Sequence, residues 1–144
     1  MKKLEYNGNK QTAHAWIDSL DITQRWVIEA RQFKELRTYL QNRLSHAWYA
    51  DLAQFDDSDN ATGWKCYCKL HHGVGIMRRD DTEFRTVYDE VIKGLTYEKK
   101  LHIMKILPIT SLMNTAQLNE YLEAVQVDFR DKGINLMFPD DYPQ

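Results

Sequence analysis

Cysteine, proline, glycine and long apolar runs are all scarce in this chain, and each scarcity excludes something. Its two cysteines, Cys66 and Cys68, stand two positions apart, a poor spacing for a structural disulfide. Three prolines and six glycines leave no linker rich in either, and no repeat or low-complexity segment interrupts the pattern. The 144 residues are therefore expected to form one domain over 1–144. No apolar run nears the length of a membrane span, and no basic segment followed by an apolar stretch opens the chain. A reduced, cytoplasmic protein with no membrane partner is expected. An excess of positive charge is also missing. The formal net charge of −2 argues against a generally basic nucleic-acid coat, so any nucleic-acid surface must be a local patch.

Signatures of catalysis are equally thin. The acid pairs Asp56-Asp57, Asp80-Asp81 and Asp140-Asp141 fall in expected loops and lack the spacing of a two-metal site. Gly73-x-Gly75 lacks the Lys-Ser/Thr that completes a phosphate-cradling loop. Cys66, Cys68, His71 and His72 invite a zinc reading, but a structural site needs four converging ligands. Residues two apart on a helix diverge by about 200°, so these do not converge. Neither enzyme chemistry nor a metal or other cofactor is expected.

What is present is an amphipathic, mostly helical pattern. Apolar residues make up 43% and charged residues 28%, as in a soluble globular domain. The bases are unevenly placed. Residues 25–79 hold nine Lys/Arg against six acids, whereas residues 80–144 hold seven against twelve. Lys2 to Tyr6 alternates and stops at a turn, residues 11–20 read as a helix burying Ala13, Trp16, Ile17 and Leu20, and residues 25–30 read as a strand. The expected class is thus α+β, mostly helical with a small N-terminal β-sheet.

A long helix over about residues 34–55 is expected to bury Leu40, Leu44, Ala47, Trp48, Leu52 and Phe55. Thr38, Tyr39, Asn42, Arg43, Ser45 and His46 fall on its far side, with Arg37 and Gln41 at the margin. Asn60 is placed to cap the next helix and Gly73 to close it, leaving residues 73–79 as a loop. On that second helix Lys65, Lys69 and His72 form a basic stripe. Two further helices are expected over 82–92 and 97–106. A last one, capped at Asn114 or Thr115, carries Leu118, Tyr121, Leu122, Val125 and Phe129 as its core stripe and ends at Gly133. Residues 134–138 read as a short strand before Pro139.

The groups best suited to chemistry are those that hold nucleic acid. Arg37, Arg43, Lys65, Lys69, Arg78 and Arg79 supply counterion release on a phosphate backbone, and Gln41, Asn42 and Tyr39 add amides and a ring for single-strand contacts. A solvated helix face would carry similar residues.

Three segments in order resemble the NinB/Orf family of lambdoid-phage recombination proteins. They are Arg37-Thr38-Tyr39-Leu40-Gln41-Asn42-Arg43 continuing to Ala47 and Asp51, then Trp64-Lys65-Cys66, then Thr110-Ser111-Leu112-Met113 followed by Glu120, Leu122, Glu123, Gln126 and Gly133. The resemblance covers roughly two thirds of the chain. It implies a recombination mediator in the bacterial host's cytoplasm, forming an intertwined homodimer. Such a protein binds single-stranded DNA and the host single-strand-binding protein and assists recombinase loading. The implied DNA contacts are Gln41, Asn42, Arg43 and Lys65. The alternative is a phage protein-interaction module that captures a host protein without DNA binding.

Overall fold

The computed structural model describes residues 10–28, 36–140 and 142. The chain divides into two units, residues 1–32 and 33–144.

In the first unit, α1 (Lys10–Asp18) is the expected helix, but none of its residues is buried. Trp16 and Ile17, expected in a core, are 40% and 42% exposed. The expected N-terminal sheet is a misreading: there is no strand among the described residues, and 25–28 are irregular. Lys2 to Tyr6 and residues 29–30 lie outside the described residues. Aromatic and β-branched residues favour a strand only where cross-strand and same-face neighbours cover them. Here Val27 is 97% exposed, and Trp26 donates from Nε1 to the Asp21 carbonyl at 2.7 Å. The described fold is all-α rather than α+β, and nothing in it supports an intertwined dimer.

The second unit contains α2 (Leu36–Phe55), α3 (Ala61–Cys68), a π-helical turn (Lys69–Gly73), α4 (Val74–Asp80), α5 (Thr82–Val91), α6 (Tyr97–Ile103), a 3-10 turn (Thr110–Leu112) and α7 (Thr115–Asp131). Packing of α2 on α3 and α7 and of α3 on α6 encloses the core, while α4 packs on α5.

The α2 stripe is rotated from its expected position. Its buried residues are Gln41, Leu44, Ser45, Trp48, Tyr49 and Leu52, at helical spacings of three and four, while Ala47 and Phe55 are exposed. Polar groups can join the core because α7 supplies their partners. Gln41 Nε2 donates to the Thr115 carbonyl at 3.0 Å, and the hydroxyls of Tyr49 and Tyr121 lie 2.6 Å apart. A buried polar atom with a hydrogen-bond partner escapes most of its desolvation cost, as Gln41 Nε2 and the tyrosine hydroxyls do, while Gln41 Oε1 has no partner among the described residues.

Asn60 caps α3 as expected, accepting from the Gly63 N–H at 2.8 Å. Gly73 does not close the helix. Backbone at residue 73 stays right-handed (φ −89°), and the π-helical turn carries the chain without a break into α4. Glycine is needed there for space, since a Cβ would stand 2.7 Å from Cγ2 of the buried Ile109. The expected loop over 73–79 is therefore helix.

α7 follows its sequence signals closely. Asn114 and Gln117 form a reciprocal capping box, and Leu118, Tyr121, Leu122, Val125 and Phe129 are all buried. Gly133 (φ +84°) ends the helix, with the Ile134 N–H returning to the Phe129 carbonyl at 2.8 Å. Residues 134–138 are not a strand. Side chains hold this tail instead: Gln126 Nε2 donates to the Leu136 carbonyl at 2.8 Å, and Trp48 Nε1 donates to the Met137 carbonyl at 3.1 Å. Among the described residues no helix is long and apolar enough to cross a membrane.

Candidate nucleic-acid interface

The structure separates seven of the eight residues expected to face DNA into three groups. Two are interior. Gln41 is fully buried where α2 meets α7, its Nε2 donating to the Thr115 carbonyl while its Oε1 has no hydrogen-bond partner among the described residues. Lys69 is 4% exposed, and its ammonium donates to the carbonyls of Met104 and Leu107, both at 2.6 Å. The helical period did place Lys65 and Lys69 near one another, but the carbonyls of Met104 and Leu107 draw the Lys69 side chain inward, where it ties the end of α6. Burial and the charge of Lys65 pull its pKa down. Neither residue can reach a strand in this fold.

Two more are neutralised. Arg78 makes a two-pronged contact with Asp89, at 2.8 and 2.9 Å. Arg79 bridges Asp80 and Glu120, with Nε–Oδ1 at 2.7 Å and Nη1–Oε1 at 2.6 Å. They therefore pin α4 to α5 and to α7 rather than closing over a ligand on a hinged loop. The Arg37 side chain lies outside the described residues.

Asn42, Arg43 and Lys65 remain. Arg43 is exposed, Asn42 and Lys65 are half-buried, and among the described residues Arg43 and Lys65 have no carboxylate partner. α2 also presents Tyr39, 55% exposed, one turn before Arg43, and His46 one turn after it. Lys65 of α3 lies close enough to His46 that burial and its charge together lower the His46 pKa, keeping that ring neutral at physiological pH. Lys65 and Lys105 both act on the buried Cys66 thiol, which burial nevertheless raises. Arg43, His46 and Lys65 thus form a local patch on α2 and α3, while Lys105 lines a depression beside Cys66 together with Asp59 and Glu98. His46 had been placed on the outer side of α2 by its periodicity. Lys105, forty positions from Lys65, carries no sequence signal that would join them.

A second cluster was not anticipated at all. Asp128 of α7 accepts from the Tyr67 hydroxyl at 3.0 Å and from His72 Nε2 at 2.7 Å, and its Oδ1 lies 2.9 Å from Lys132 Nζ. Lys132 also donates to the Tyr67 oxygen at 2.5 Å. Burial would raise the Asp128 pKa, but hydrogen bonds from Lys132, His72 and Tyr67 outweigh it and the pKa is lowered. His71 Nε2 lies 2.8 Å from the Tyr97 hydroxyl, and its ring packs against Tyr67 with centroids 4.3 Å apart. Cys68 sits in the core, its pKa driven up by burial. Among the described residues no three His, Cys, Asp or Glu side chains are arranged to hold a metal ion.

Comparison with known proteins finds no matching family model, no matching characterised protein and no matching solved structure.

Proposed function

We propose that the chain binds single-stranded DNA through the outer face of α2 and the adjoining part of α3. Arg43 and Lys65 hold phosphates, Asn42 offers an amide, and the exposed Tyr39 ring provides a surface on which a base stacks. The observation that carries this reading is the contrast among the basic side chains. Arg78 and Arg79 are paired with carboxylates, whereas the exposed Arg43 and the half-buried Lys65 have no carboxylate partner among the described residues. The ordered resemblance to the phage recombination proteins supplies the biological role. That role is a cytoplasmic, non-enzymatic mediator that acts as a homodimer, meets the host single-strand-binding protein and assists recombinase loading.

Gel-shift titrations with a labelled oligothymidylate at two salt concentrations test the reading. Affinity should fall steeply as salt rises, because each neutralised phosphate releases counterions. Arg43→Ala with Lys65→Ala should abolish most of the binding while circular dichroism stays unchanged. Absent or salt-insensitive binding would sink the proposal. Sedimentation of the same protein tests the dimer.

A further inference from the structure

The groove between the π-helical turn and the outer side of α7 has the opposite chemistry from the α2–α3 patch. It is an open depression of about 570 Å³, walled by Tyr67 and His71 on one side and by Glu123, Ala124, Val127 and Asp128 of α7 on the other. Lys65 and Tyr67 are two positions apart on α3, about 200° around its axis, so patch and groove occupy different sides of that helix.

Four features define what would fit. Val127 is 46% exposed, whereas the large apolar residues of α7 are otherwise buried, and it adjoins Ala124 along the groove floor. Glu123 is exposed, with Asn119 as its only hydrogen-bond partner and no cation paired to it among the described residues. The chain's own cations already hold the neighbouring groups, with Lys132 Nζ 4.7 Å over the Tyr67 ring and 2.9 Å from Asp128 and with Arg79 on Glu120, so Glu123 is the groove carboxylate left for a partner. His71, its pKa lowered by burial and by His72, is a neutral ring at physiological pH and does not repel a further cation.

We propose that this groove docks a basic peptide segment of a partner protein, with a guanidinium or ammonium group on Glu123 beside the His71 ring and an apolar contact on Ala124 and Val127. An anionic strand is repelled there by Glu123. The face from Glu120 to Asp128 extends about 12 Å along α7, two turns of peptide rather than a single small cation. This inference goes beyond the DNA reading and does not depend on it.

The test uses the full chain and a fluorescein-labelled, alanine-based helical peptide with arginines four residues apart. Its glutamate counterpart, spermidine and an oligothymidylate serve as competitors. Fluorescence polarisation should show saturable binding of the arginine peptide that the glutamate peptide does not compete. Glu123→Lys, a change at an exposed position, should weaken binding by roughly tenfold or more, the scale of one lost charge contact. Arg43→Ala should leave peptide affinity unchanged while lowering affinity for DNA, which separates the two proposals. Amide shifts on titration should centre on His71, Ala124 and Val127. Four outcomes overturn the proposal: equal binding by Glu123→Lys, shifts centred elsewhere, displacement by spermidine at equal concentration, or self-association that Glu123→Lys abolishes.

Discussion

Replacing Lys69 with Met separates a structural brace from a ligand contact, because the two roles predict opposite results. Its ammonium donates to two carbonyls, Met104 O and Leu107 O, each at 2.6 Å. Met104 follows the last residue of α6, and the donor one turn on would be residue 108, a proline with no N–H. Lys69 thus supplies a donor that the backbone cannot. Methionine fills similar volume, so packing loss is small, but two charge-assisted hydrogen bonds of about 1.5–3 kcal/mol each disappear and leave carbonyls with less compensation. Relief of the desolvation of a buried ammonium returns part of that. A net loss of about 3 kcal/mol is expected, a large share of the ~5–15 kcal/mol that holds a domain of this kind. At ~3 °C per kcal/mol for a chain of this size, Tm should fall by about 9 °C. Urea denaturation should show a lower midpoint with an unchanged slope. Lys65→Met is the control: its ammonium has no such partners, and stability should move by less than ~0.5 kcal/mol. If Lys69→Met left Tm unchanged and weakened DNA binding instead, the assignment of Lys69 to the interior would be refuted.

Gly73→Ala places a Cβ 2.7 Å from Cγ2 of Ile109, so despite the better helix propensity of alanine it should destabilise by ~1 kcal/mol in urea titrations. Gly75→Ala, with no atom within 4 Å of the added group, should be neutral or stabilising by up to ~1 kcal/mol, and a reversed order of the pair would contradict the packing. Tyr49→Phe removes one member of the 2.6 Å hydroxyl pair and leaves the buried Tyr121 hydroxyl unsatisfied, so thermal unfolding should report a loss of ~1–3 kcal/mol. Asp128 has a folded pKa lowered from 3.8, because hydrogen bonds from Lys132, His72 and Tyr67 outweigh its burial. A carboxyl of this kind contributes stability above its unfolded value, and that contribution is lost as pH falls through the folded one. Acid titration of wild type against Asp128→Asn should therefore show a steeper loss below about pH 4 in the wild type; parallel curves would exclude the role.

The parts of this protein that its sequence determined are those set by neighbours a few residues away. Asn60 and Asn114 cap α3 and α7 because a short polar side chain reaches the N–H three residues on, and Gly133 ends α7 because left-handed backbone favours glycine. The α7 stripe was legible because one helix period spaces five large apolar residues along it. Arg43 and Lys65 were also legible as surface cations, since no local group competes for them.

Tertiary structure decided the rest through partners distant in the chain. Thr115 and Tyr121 make Gln41 and Tyr49 into core residues and so turn the α2 stripe away from Ala47 and Phe55. Ile109 converts Gly73 from an apparent helix stop into a close packing contact, and the carbonyls of Met104 and Leu107 take Lys69 inward. Asp89 and Glu120 quench Arg78 and Arg79, which in sequence stood beside Arg43 as candidate phosphate-holding cations. The residues at 25–28 had strand propensity without a strand beside them among the described residues, and propensity alone does not satisfy a ladder. The exposed face of a helix, and the cations left free on it, depend on which distant groups arrive to cover or pair them.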